Sequence, residues 1–123
     1  MNLQELAAEI GRLASTPGVI ACSLIDGPTG MIYHTSGDQD LEPLAEAARD
    51  YWQLHRRQAS AHQKLGEFIG LVTLHEKGVI NVLQCTEDTI LVTIAERNRV
   101  SFSTWPSQLD RLRQLIDDIE FHA

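Results

Sequence analysis

Apolar residues recur at steps of three and four through Leu3, Leu6, Ala7, Ile10, Leu13 and Ala14. That is the period of one helix face, and it predicts an amphipathic helix over Asn2 to Ser15. Asn2 is placed to cap its start, with Glu5 completing a capping box, and Pro17-Gly18 stops it. The pattern then changes. Val19 to Ile25 is apolar on both alternating faces and rich in β-branched residues. Such a strand is covered on both sides, so it belongs in the middle of a sheet with helices on each face. Asp26-Gly27-Pro28-Thr29-Gly30 carries turn residues, and Met31 to Ser36 reads as a less apolar strand nearer an edge, closing a hairpin.

A second helical period follows. Asp38 or Asp40 opens it, and Pro43 falls in its first turn, where a missing N–H costs little. Leu41, Leu44, Ala45, Ala48, Trp52, His55 and Ala59 hold helical spacing over most of Leu41 to Gln63, a helix of roughly 34 Å at 1.5 Å per residue. Beside this stripe runs a second one: Ala47, Tyr51, Leu54, Gln58 and Ala61. One face can pack on the sheet; the other exposes an aromatic and a leucine unless it finds a further partner. A meander of three strands comes next, Phe68 to His75, Val79 to Cys85 and Thr89 to Ala95. Their short turns make them antiparallel neighbours. Gly70, inside the first of them, marks a bulge or a close backbone approach. The last helix starts at Ser107, after Pro106, on a capping-box pattern, and buries Leu109, Leu112, Leu115, Ile116 and Ile119. The order predicts an α/β (α+β) fold: one domain over residues 1–123, with a five-stranded antiparallel sheet between helices and neither repeat nor linker.

Composition narrows the partners. A chain of 123 residues with 43% hydrophobic content can bury roughly two-thirds of its unfolded surface, so folding calls for neither a metal nor a disulfide. With 10 basic and 17 acidic residues the net charge is −7, which disfavours nucleic acid and anionic membrane surfaces. Cys22 and Cys85 sit inside apolar runs and read as buried free thiols. No apolar run approaches the ~20 residues of a membrane span. The start, Met1-Asn2-Leu3-Gln4-Glu5, has neither a basic region nor an apolar signal core, so a cytoplasmic protein without membrane insertion is expected.

The missing motifs bear on chemistry. The chain has no Gly-rich loop ending in Lys and Ser or Thr, no Gly-x-Gly-x-x-Gly, no Cys-x-x-Cys and no His-x-x-x-His. The expectation is therefore no catalytic residue, no cofactor and no metal site: not an enzyme. His55 and His62 read as surface or interface histidines, since a metal would need two more ligands. Asp26 reads as a turn residue bonding its own backbone. Ser23 and His34 could be imagined as nucleophile and base across the hairpin, but lack an orienting carboxylate and read as a solvent-facing polar pair. Two basic features remain, Arg56-Arg57 and Arg97-Asn98-Arg99; the latter leads into a loop holding Phe102 and Trp105. That loop is either solvated charge whose aromatics cover the core edge, or a partner-contact loop, since Arg, Phe and Trp favour interface centres. Arg97, Arg99, Phe102 and Trp105 are its candidate contacts.

The element order and several local patterns resemble the roadblock / dynein light chain family over about Leu3 to Ile119. The pieces that carry the likeness are Val19 to Ile25 followed by Asp26 and a glycine-containing turn, and Leu41-Glu42-Pro43-Leu44-Ala45 opening the long helix. Phe68 to Leu74 fits the edge strand, and Thr89 to Ala95 the fifth strand. The resemblance, to small single-domain bacterial members above all, implies a profilin-like three-layer sandwich. Its strand order would be two-one-five-four-three, with the first and last helices on one face and the long helix on the other. It implies a dimer through the long helix and third strand, joining two sheets into one. That would give Ala47, Tyr51, Leu54, Gln58 and Ala61 a partner, and would pair the edge at Phe68, Gly70 and Val72, otherwise an aggregation hazard. The implied function is non-catalytic regulation or scaffolding of a small Ras-like GTPase, by GTPase activation in some bacterial members. Trp52, His55, Arg56, Arg57 and His62 depart from the small residues expected along a tight helix seam. The alternative is a small-molecule-sensing or general interaction module of the same fold, whose cue would be a cavity near Cys22, Met31 and Trp52.

Overall fold

A computed structural model describes residues 3–122 of the chain. The elements are α1 (Leu3–Ala14), β1 (Val19–Asp26), β2 (Ile32–Gly37), α2 (Glu42–Arg57), β3 (Gly70–Leu74), β4 (Gly78–Gln84), β5 (Thr89–Glu96), α3 (Trp105–Gln108) and α4 (Asp110–His122). The strands form one sheet in the order β2-β1-β5-β4-β3, every neighbour antiparallel. The expected three layers are present. On one face Ile10 and Leu13 of α1 and Leu112 and Leu115 of α4 meet Cys22, Leu24, Leu83 and Leu91. On the other, Ala45, Ala48 and Trp52 of α2 meet Ile25, Ile80, Val82, Ile90 and Val92. β5 lies at the sheet's centre and is buried from Thr89 to Ala95, which is why its sequence is apolar on both alternating faces.

Two boundaries differ from expectation, and one expected cap falls on a residue that is not described. Asn2, the expected cap of α1, lies outside the described residues. α2 ends at Arg57 after 16 residues, roughly 24 Å, and Ala59–Leu65 continues as a 3₁₀ segment. His55, Arg56 and Arg57 crowd the last turn, where cations complement the helix dipole, and they were the local sign of its end. Beyond them Ala59 and Ala61 are exposed and bury nothing that would hold an α-helical path. The last helix begins earlier than Ser107 and in two parts. Pro106 occupies the first turn of α3, where its fixed φ is suited, and Ser107 Oγ donates back to the Thr104 carbonyl (2.9 Å) instead of capping. Arg113 closes the junction: Nη1 donates to the Pro106 carbonyl and Nε to the Cys85 carbonyl, each at 2.8 Å. It thereby ties α4 to the end of β4.

Both cysteines are free and buried, as their apolar settings predicted. Burial pushes the Cys22 thiol up to about 11, against a smaller opposing pull from Thr93, and the Cys85 thiol up to about 12, against a smaller pull from Arg113. Below the ordinary value of 9.0 both the folded and the unfolded chain keep these protons. As pH rises above it, the unfolded chain releases protons that the folded chain holds, so stability falls. Denaturation midpoints should therefore drop between about pH 8 and pH 10.5, and Cys85→Ala should flatten that drop. Neither thiol should react with a bulky disulfide reagent near neutral pH until the chain is unfolded.

Candidate interaction surface

The second stripe of α2 stays outside. With Ala45, Ala48 and Trp52 turned to the sheet, helical geometry turns Leu44, Ala47, Tyr51 and Leu54 away from it, and all four are exposed. Tyr51 is 48% and Leu54 46% accessible. Gln58 and Ala61 are exposed beyond the helix end. β3 is an edge strand paired only with β4, so its outer peptide groups have no strand partner, and Val72 (53%) and Leu74 (70%) are exposed along it. Leu65 and Ile69, on the chain leading into β3, are exposed as well. Leu71, between Gly70 and Val72, packs into the α2-side core, so Val72 and Leu74 point to the other face of the sheet. An open apolar helix face and an open sheet edge are each the form of a protein-docking surface.

Two residues expected on that surface serve the chain itself. Phe68 is half-buried against the α2-side core, its ring 5.7 Å from that of His55. Gly70 is where two backbones approach: a Cβ there would collide with the Val82 carbonyl oxygen. Of the heavy residues that depart from a tight helix seam, Trp52, His55 and Arg56 pack within the chain, while Arg57 is exposed. Trp52 is fully buried under α2, and the Arg56 guanidinium lies over its ring at 4.9 Å from the centroid. The His55 and His62 rings stand 6.3 Å apart, and no cluster of three or more His, Cys, Asp or Glu suited to a metal occurs among the described residues.

The loop after β5 divides likewise. Trp105 is 2% exposed and its indole packs edge-on against Phe102, at 5.0 Å between centroids, in the core beneath α4. It is closed to a partner, and Phe102 is half-buried with it; the aromatics do cover the core edge. Arg97 and Arg99 are exposed, Arg99 bonded to Glu96 at 2.8 Å.

The remaining candidates are structural. Ser23 pairs in register with Thr35, to which its hydroxyl is bonded at 2.9 Å, and it is buried, not solvent-facing. His34, one position along β2, faces the other side of the sheet and bonds Ser36 at 3.1 Å. Asp26 accepts from the Thr29 backbone N–H (3.0 Å), the turn role read from its neighbours. Cys22 and Trp52 lie on opposite faces of the sheet, and Met31 is exposed on the hairpin turn, so these three do not line one cavity. A groove of about 840 Å³ instead crosses the sheet's end, lined by Trp52, Arg56, Phe68, Cys85 and Arg113 among others.

Known structures place this architecture. No protein-family model matches the chain, and no curated protein matches it by sequence. A roadblock/LC7 domain from Streptomyces avermitilis superposes with a TM-score of 0.75 at 16% identity, covering 98% of this chain and 99% of that one. The fold is that of roadblock/LC7 domains. The gliding protein mglB from Thermus thermophilus has the same roadblock fold, with a TM-score of 0.73 at 18% identity over 100% of this chain and 94% of its own. So does an MglB in a tetrameric arrangement, with a TM-score of 0.77 at 16% identity over 96% and 93%. Within the roadblock fold of this chain, sequence reading missed what aims α2. Arg49 Nε (2.8 Å) and Gln53 Nε2 (2.6 Å) both donate to the Gly27 carbonyl of the hairpin turn. The available signal was a pair of long polar residues four apart on a helix whose neighbouring face is buried.

Proposed function

We propose that the chain works as one roadblock-like domain over residues 1–123, a non-catalytic dimeric regulator or scaffold of a small Ras-like GTPase. The observation that carries this reading is the open apolar stripe Ala47-Tyr51-Leu54, together with the unpaired edge of β3, inside a roadblock fold. Gln58 and Ala61 extend the stripe, while Phe68 and Gly70 hold the edge strand in place from within. A second copy of the chain would cover both features. The exposed Arg97 and Arg99 then remain for the GTPase. A tetrameric arrangement of an MglB with the same fold supports oligomerisation. Among the described residues no helix is long and apolar enough to cross a membrane, which fits a cytoplasmic partner.

The test is a panel of small GTPases from the same genome, mixed with the protein at micromolar concentration. Complex formation by light scattering, or a change in the rate of GTP hydrolysis, is expected with one of them. Loss of either effect in Arg97→Ala with Arg99→Ala would assign the contact. Neither binding nor a rate change across the whole panel would sink the GTPase reading.

A further inference from the structure

Trp52 carries a polar atom for which the fold provides no partner. Its indole is fully buried, and Nε1 has no acceptor among the described residues. A buried donor gives up its bond to water, so one left unpaired calls for an explanation. The direction of the ring supplies one. Cη2 and Cζ3, at the far end of the six-membered ring, face Gly27, where a Cβ would stand 3.1 and 2.7 Å from them. Trp52 lines the groove at the sheet's end, while Gly27 and Asp88 do not. The indole therefore meets the groove with its opposite end, the five-membered ring that holds Nε1.

Arg56 stands at the same place. It is half-buried with its guanidinium over the Trp52 ring, yet it makes no hydrogen bond or ion pair among the described residues. A carboxylate suits both groups: its two oxygens match the guanidinium fork, and either oxygen can also accept from the indole. Nε1 is closed to water. A carboxylate reaches it as the Arg56 side chain, held by no bond, swings from the ring onto the ligand.

The other charges along the groove narrow the class. Arg113 is committed, with Nε on the Cys85 carbonyl and Nη1 on the Pro106 carbonyl and the Asp110 carboxylate. Glu67 and Glu87 are exposed on the lining and pair with no cation among the described residues. Their charge repels phosphates and other polyanions, which leaves a single carboxylate as the anion that fits. Phe68, Ile69, Leu83 and Pro106 give the groove an apolar wall. Its volume, about 840 Å³, falls within the range of small-ligand sites, roughly 300–1,000 Å³.

We infer that this groove binds a carboxylate with an apolar body, the carboxylate on Arg56 and the Trp52 N–H, the apolar part against Phe68 and Ile69. A small branched-chain organic acid offers that group, and so does the C-terminus of a polypeptide ending in an apolar residue. The site does not depend on the GTPase reading.

The Trp52 indole proton reports on the site directly. The chain has two tryptophans, so two-dimensional NMR of the isotope-labelled full chain shows two indole N–H signals. Trp52→Phe assigns them by removing one, and Trp105→Phe does the same should the first not fold. The probes are isocaproate, acetyl-glycyl-leucine with a free carboxylate, and acetyl-glycyl-leucine amide. Isocaproate or the free dipeptide, at millimolar concentration, should move the Trp52 proton downfield along a saturating curve and leave that of Trp105 in place. The amide should move neither, and inorganic phosphate should not compete. Binding of the dipeptide tighter by roughly tenfold or more assigns the site to a chain terminus; equal or weaker binding assigns it to a small acid. Arg56→Gln should weaken either by roughly tenfold or more, while Arg57→Gln, one position along, should leave affinity unchanged. A Trp52 signal that neither carboxylate moves, an equal response to the amide, or wild-type affinity in Arg56→Gln overturns the site.

Discussion

Trp52→Ala is expected to destabilise the fold by about 3–5 kcal/mol, the range for a large buried aromatic whose cavity cannot collapse. Trp52 has no exposed surface. Its ring fills the junction of α2 with the hairpin turn: a Cβ on Gly27 would stand 2.7 Å from Trp52 Cζ3 and 3.2 Å from the Asp88 carbonyl. Gly27 is in turn held by Arg49, by Gln53 and by its own N–H, which donates to the Asp88 carbonyl at 2.7 Å. Three segments are therefore pinned around one side chain, and none can move inward alone to fill the space. Arg56 would also lose the ring it lies over. The Trp52 Nε1 hydrogen has no acceptor among the described residues, so Trp52→Phe gives up volume but no hydrogen bond and should cost about half as much or less. Against a typical domain stability of about 5–15 kcal/mol, the alanine variant should show a clearly lowered urea midpoint. A loss below about 1 kcal/mol would mean that α2 is anchored elsewhere.

Tyr51→Glu combined with Leu54→Glu is expected to abolish dimerisation while leaving the fold intact. Each side chain is about half exposed in the single chain, so its replacement there removes little packing and should shift stability by about 0.5 kcal/mol or less. At a seam closed by a second copy, the same changes bury four carboxylates per dimer against an apolar stripe. Central interface residues are commonly worth about 2 kcal/mol or more each, so the dimer should weaken by at least about 100-fold. Analytical ultracentrifugation with a parallel circular-dichroism melt separates the two effects. A variant that dimerises like the wild type would place the seam elsewhere. One that unfolds would mean that Tyr51 and Leu54 belong to the core.

Much of the architecture is legible locally. The 3.6-residue period of α1 and the doubly apolar run of β5 each reflect a burial pattern that the chain must satisfy wherever the element packs. Where contacts are tertiary, legibility fails. Phe68, Gly70 and Trp105 look like surface candidates because a strand edge and an aromatic loop are often exposed. Trp105 is buried against Phe102, while Phe68 and Gly70 are partly buried, Phe68 near His55 and Gly70 where the Val82 carbonyl comes close. The hold of Arg49 and Gln53 on Gly27 crosses 22 and 26 residues of sequence, and no local pattern encodes such a contact. The end of α2 was written in its basic last turn, but the apolar spacing that continues through Ala59 masked it.

The sequence by itself determined that the long helix carries two stripes and that three antiparallel strands follow it as a meander. Which stripe would remain uncovered was decided only by the tertiary structure. Trp52 fills the space beside Gly27, so the Ala45-Ala48-Trp52 face is consumed by the sheet. The strand order, with β5 drawn to the centre because both its faces need cover, leaves β3 at the rim. Helical geometry then sets Tyr51 and Leu54 outward, so the fold keeps an uncovered helix face and an unpaired strand edge, two incomplete surfaces that a second chain can complete.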